Sequence, residues 1–141
     1  MADYEGLISK YFFFHPDPEL KVNLMAFGFE CDDGWYDLIS RLCDELNTVI
    51  NNKYPYLKDI PKDNNGYPNF FVTQVKEKFG MLCFYTTGAP DEIFDIIEKY
   101  EKESMTTCEI CGKSGKSRIK NNWIKTLCTE HKEELEYEDF K

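Results

Sequence analysis

The chain has 141 residues, a net charge of −9, 42% apolar and 16% aromatic residues. This composition excludes a disordered chain and fits one domain, or one domain with a small appended module. The longest unbroken apolar run, Met81–Tyr85, has five residues, so no segment reads as a membrane span. The N-terminal Met1-Ala2-Asp3-Tyr4-Glu5 lacks the basic and apolar regions of a secretory signal, and a cytoplasmic location is expected.

In chain order, residues 1–34 read as irregular. Tyr11-Phe12-Phe13-Phe14 is an apolar block, strand or helix end, closed by Pro16 and Pro18. His15 stands alone and reads as a surface or capping residue. Residues 35–52 show the clearest helix, with Trp35, Leu38, Ile39, Leu42, Cys43, Leu46, Val49 and Ile50 at three-and-four spacing. Asp32 and Asp33 are placed to cap it. Residues 53–69, with three prolines and Asn64-Asn65-Gly66, form a long connection, packed or mobile.

Residues 70–87 predict a β-hairpin turning at Glu77-Lys78-Phe79-Gly80. Phe71, Thr73 and Val75 alternate against Phe70, Val72 and Gln74, and Leu82 and Phe84 against Met81, Cys83 and Tyr85. Both faces are apolar, so the hairpin is expected to be covered on both sides or joined to further strands. Residues 90–104 predict a helix with Pro90 at its first position and Ile93, Phe94, Ile97, Tyr100 and Ser104 inward. Cys43 and Cys83 read as small core residues.

Six cysteines allow three disulfides, but without a secretory signal reduced thiols are preferred. Cys108-Glu109-Ile110-Cys111 and Cys128-Thr129-Glu130-His131 give C-x2-C, sixteen residues, then C-x2-H. Two sulfurs on one tight knuckle point at one ion, and a second pair completes a tetrahedron of three thiolates and an imidazole, which suits zinc. The alternative is two buried cysteines, a disulfide and an idle histidine. With all four positions filled by protein, the ion is expected to be structural. Gly112 after the knuckle suits positive φ. Strands at Ser117–Ile119 and Trp123–Leu127 meet across Asn121-Asn122, and a helix then runs towards Tyr137 with a solvated acidic face of Glu133, Glu134, Glu136, Glu138 and Asp139.

Knuckle, hairpin and a helix whose first turn supplies the second ligand pair follow the order of a treble-clef zinc finger. Together with Gly34-Trp35-Tyr36, the string Val75-Lys76-Glu77-Lys78-Phe79-Gly80-Met81-Leu82-Cys83-Phe84-Tyr85 and Trp123–Cys128, this resembles a group of small proteins encoded by bacteriophages and bacterial mobile elements. The resemblance covers roughly residues 34–131. It implies such an origin and a C-terminal treble clef, and attaches no activity. The expected architecture is α+β: a body over residues 1–105, a hairpin packed by helices, and a treble-clef module over 106–141 packed as one unit with it.

No nucleophile elbow, phosphate loop or zinc-protease motif is present, and no Cys–His pair is free of metal duty, so an enzyme is not expected. The stretch Ile110–Thr129 has no carboxylate and holds Lys113, Lys116, Arg118, Lys120 and Lys125. It reads as a solvated hairpin, or as a basic face on an acidic body. The expected function is a zinc-stabilised binder that sequesters a host factor, either a host protein or a phosphorylated small molecule such as a nucleotide messenger. A zinc-finger module for nucleic acid, such as a single strand stacked on Trp123, is the alternative. Candidate ligand contacts, if the two hairpins face one another, are Lys76, Lys78, Tyr85, Arg118, Lys120 and Trp123. A homodimer is possible, but nothing in the sequence sets the symmetry.

Overall fold

The computed structural model describes residues 2–14, 25 and 28–140. Among them the chain is α+β, with four α-helices and two three-stranded sheets. The described part of the first 34 residues is less irregular than expected. Asp3 accepts a hydrogen bond from the Gly6 amide at 2.9 Å and starts helix α1, Tyr4–Lys10. The aromatic block forms a 3-10 turn, Phe12–Phe14, that buries Phe13 and Phe14 beside Tyr11. His15, Pro16 and Pro18 lie outside the described residues.

Helix α2, Tyr36–Lys53, buries Leu38, Ile39, Leu42, Cys43, Leu46 and Ile50 along one stripe. Each large aliphatic side chain removed from water in this way contributes about 1.5–3 kcal/mol. The capping role expected of Asp32 and Asp33 is not found. The N-cap residue of α2 is Trp35, without a side-chain cap bond, and Asp32 faces the C-terminal module instead. The connection after α2 is packed: Leu57 and Tyr67 are buried, and Asn64 Nδ2 donates to the Tyr67 carbonyl at 2.8 Å.

Strands β2, Val72–Lys78, and β3, Met81–Thr86, form the hairpin, and a strand not foreseen, β1 (Phe29–Glu30), adds in parallel to β2. The simple alternation expected for β2 is broken. Val72 pairs with Thr86 and Gln74 with Tyr85, which leaves Thr73 as an extra residue. The bulge turns Val72 and Val75 to the same side, and both are buried. Helix α3, Asp91–Ser104, packs on α2 and β3 and buries Ile93, Ile96, Ile97, Tyr100 and Ser104. Ile96 takes the place expected of Phe94, which is exposed, and Pro90 is the N-cap residue, just before the first helical position. Ser104 Oγ and a Glu101 carboxylate oxygen accept from the Leu82 and Phe84 amides at 2.9 Å each, closing the outer edge of β3.

Phe79 and Gly80 form the two-residue turn of this hairpin, at φ 54° and 82°. Such a turn demands left-handed backbone at both centres, which suits Asn and Gly and disfavours an aromatic residue by about 1–2 kcal/mol. Phe79 recovers little of this by burial, since it is 73% exposed. Phe79→Asn is therefore expected to raise the unfolding free energy by about 0.5–1 kcal/mol in urea denaturation. A loss of stability would show that the ring packs on the fold.

In the C-terminal part, β4 (Lys116–Lys120) and β5 (Trp123–Leu127) pair across Asn121-Asn122, at φ 50° and 67°, a turn with the residues it requires. Helix α4 covers only Thr129–Glu134, and the chain then returns as a short strand, β6 (Glu138–Asp139), on the other edge of β4. Asp139 is thus not part of a solvated helix face: it pairs with Arg118 and, at 3.0 Å, with Lys132. None of the described helices is long and apolar enough to cross a membrane.

Candidate metal centre and adjoining cleft

The knuckle Cys108–Gly112 is shaped by its own backbone. Gly112 N donates to Cys108 O at 2.9 Å, with Gly112 at φ 82°, and Cys108 N donates to Lys113 O at 2.7 Å. Cys128 ends β5 as the N-cap residue of α4, and His131 lies on the first turn of that helix. The ligand-type atoms of Cys108, Cys111, Cys128 and His131 lie within 4.8 Å of one another. The Cys111 and Cys128 sulfurs are 3.7 Å apart, and His131 Nδ1 lies 3.3 Å from the Cys128 sulfur and 3.8 Å from that of Cys108. Sulfurs bound at ~2.3 Å around a tetrahedral ion stand ~3.8 Å apart, so the cluster has the dimensions of a metal site. No disulfide competes for these thiols. Burial pushes the Cys128 thiol up, but hydrogen bonds from the His131 amide and ring and from the neighbouring sulfurs outweigh it and bring the pKa down to about 7. Such a shift favours the thiolate at Cys128, whereas burial, with the neighbouring Cys108 and Cys128 thiols, pushes Cys111 up to about 11.

The module has little else to hold it together. Its apolar cluster has three buried residues, Cys108, Leu127 and Cys128, with Ile110, Leu135 and Tyr137 partly buried around them. Two of the three are members of the Cys/His cluster. So small a core does not stabilise a fold of this length unaided.

The module is fastened to the body by polar groups that are buried and paired. Gly34 N donates to Glu109 O at 2.7 Å, and Trp35 Nε1 donates to Thr107 O at 2.9 Å. Glu109 is 1% exposed, and its side chain accepts from the Asp32 amide at 3.0 Å and from Lys125 Nζ at 3.1 Å. Burial raises the Glu109 pKa, and these two donors oppose the rise. Thr126 Oγ1 donates to Gly80 O at 2.6 Å, so β5 rests on the turn of the β2–β3 hairpin.

Beside that contact the two hairpin tips lie next to each other. Between them lies a mostly apolar cleft of about 180 Å³ lined by Glu77, Lys78, Phe79, Asn122, Trp123 and Ile124. Of the candidate ligand contacts, Lys78 and Trp123 meet here. Lys120 lines a separate open hollow on the other side of Trp123, and its Nζ donates to Leu135 O at 2.9 Å. Lys76 is half-buried on β2 opposite Cys83, and the exposed Tyr85 lies opposite Gln74, well along the hairpin from its turn. Arg118 is withdrawn from any ligand. It is 3% exposed, its Nε donates to Leu127 O at 3.1 Å, and its guanidinium is paired with Asp139. Phe79 was not among the candidates. Its signal in the sequence is an aromatic residue at a turn position that calls for Asn or Gly. No protein-family model, curated protein or solved structure matches the chain.

Proposed function

We propose that this chain is a non-catalytic binding protein in which a structural zinc ion, held by Cys108, Cys111, Cys128 and His131, locks a treble-clef module onto an α+β body. The observation that carries this reading is the convergence of three sulfurs and one imidazole nitrogen within 4.8 Å. Three thiolates and one imidazole are a donor set for zinc, and four protein ligands leave no position for substrate. The order of knuckle, β4–β5 hairpin and α4 supports the treble clef. The ion's work is then mechanical: it fixes the β4–β5 tip against the β2–β3 tip and so forms the cleft. The resemblance of residues 34–131 to proteins of phages and mobile elements adds that the bound factor belongs to a host cell, whose cytoplasm is where the protein acts.

The test combines elemental analysis with hydrogen exchange. One zinc per chain is expected, and chelation is expected to release the exchange protection of β4, β5 and the Gly80 turn. A folded protein without metal, or equal protection after chelation, overturns the reading.

A further inference from the structure

We infer that the cleft between the hairpin tips is a stacking site for one nucleobase of a phosphorylated nucleoside, with Phe79 and Trp123 as its aromatic walls and Lys78 as the cation at its rim. The inference rests on the zinc-locked reading only in that the ion holds the second wall in place. Phe79 is the first argument. It is held at φ 54°, in a conformation that disfavours an aromatic residue, and it is 73% exposed. Folding gives no reason for the ring, and strain of this kind points to a site. Trp123 is the second: it directly follows the other turn and is 61% exposed. Neither ring stacks on the other or on any other ring among the described residues, and the contact recorded over Phe79 is the Lys78 ammonium, 5.9 Å from the ring centre.

The occupant follows from the chemistry of the walls. Two aromatic side chains lining a space of about 180 Å³ suit one planar ring system, and aromatic side chains bind bases without regard to sequence. Lys78 is exposed, and its ammonium makes no ion pair among the described residues; it lies 5.9 Å from the centre of the Phe79 ring. The carboxylate that also lines the cleft, Glu77, accepts from the Gly80 amide at 2.7 Å and is engaged by the turn. An apolar, aromatic slot with one cation outside any ion pair fits a base carrying phosphate. A rigid duplex hides its base faces and meets an acidic body, so the base comes from a free nucleotide or from a single strand.

The experiment uses zinc-loaded, full-length protein and the fluorescence of its two tryptophans. Trp35 is fully buried, so quenching on titration reports Trp123. The probes are ATP and UTP for the free source, ten-residue oligo(A) and oligo(U) for the strand, and inorganic phosphate and a ten-base-pair duplex as controls. At least one single-stranded or mononucleotide probe is expected to quench, and phosphate and duplex are not. Phe79→Asn, which eases the turn and keeps the fold, is expected to weaken binding about tenfold or more, as is Trp123→Ala. Lys78→Glu is expected to weaken it and to flatten its salt dependence. Whether mononucleotide or oligonucleotide binds more tightly assigns the source. No quenching by any probe overturns the inference, as does binding that Phe79→Asn leaves intact. A concentration-dependent dimer that shifts Trp123 emission and is indifferent to nucleotide assigns the cleft to a second copy and also overturns it. Metal content is measured on the same sample. Metal present without binding rejects the cleft alone, whereas binding by a folded, metal-free protein rejects the zinc lock alone.

Discussion

Cys111→Ser is expected to lower the unfolding free energy by about 2.5–4 kcal/mol, one ligand's share of the ~10–16 kcal/mol that a structural zinc site returns on binding. The choice of Cys111 matters. Cys108 and Cys128 are buried, so replacing them disturbs packing as well as any metal. Cys111 is exposed and belongs to neither apolar cluster. A surface substitution without a metal behind it shifts stability by no more than about 0.5 kcal/mol. Elemental analysis should find that a chelator which leaves the wild type loaded strips the variant, and hydrogen exchange should find β4 and β5 less protected. Acidification of the wild type should act in the same direction, because the thiolates must be deprotonated to hold the ion. A Cys111→Ser protein with the stability and exchange pattern of the wild type would mean that the four groups hold no ion in solution.

The module's spacing was legible because it is local. Two C-x2-C/H knuckles declare themselves within four residues each, and the two asparagines between β4 and β5 announce their turn. Helix α2 was legible for a related reason: six buried positions recur over 18 residues. What escaped depends on distant partners. Strands β1 and β6 have two residues each, and they are strands only because Phe29 meets Val75 and Arg118 meets Asp139. The bulge at Thr73 likewise depends on β3 and reverses the side-chain alternation that the residues alone suggest. The cleft was half legible. Lysines and arginines look alike in a sequence, and only the fold reveals which are committed. Arg118 and Lys120 are engaged by carbonyls and a carboxylate of their own module, whereas Lys78 is not. Phe79 carried a usable signal, the conflict between its ring and the turn it occupies.

The residues whose string suggested the resemblance have a shared physical role: several of them form the seam between body and module. Gly34, Trp35 and Gly80 supply it from the body, and Thr107, Glu109 and Thr126 meet them. Gly34 is the tightest point. A Cβ there would lie 2.3 Å from the Cys108 carbonyl oxygen and 2.4 Å from that of Glu109, and backbone on a closed knuckle cannot swing aside. From the other side, a Cβ on Gly112 would come within 3.0 Å of Gly34 O. Gly34→Ala is therefore expected to wedge the seam open and to strand the buried polar groups that bridge it, Glu109 and Thr126, both 1% exposed. A cost of about 3 kcal/mol in urea denaturation follows, the upper end of the range for overpacking. Metal content should be unchanged, since all four ligands lie within the module, and this separates a broken seam from a broken metal site. Gly88→Ala is the control: a Cβ there meets nothing within 4 Å, and its cost should be close to zero. Equal stability of the two variants would mean that the module does not sit on Gly34. A Gly34→Ala protein that keeps its metal but loses the protection of the Gly80 turn would show that the cleft exists only while the seam is closed.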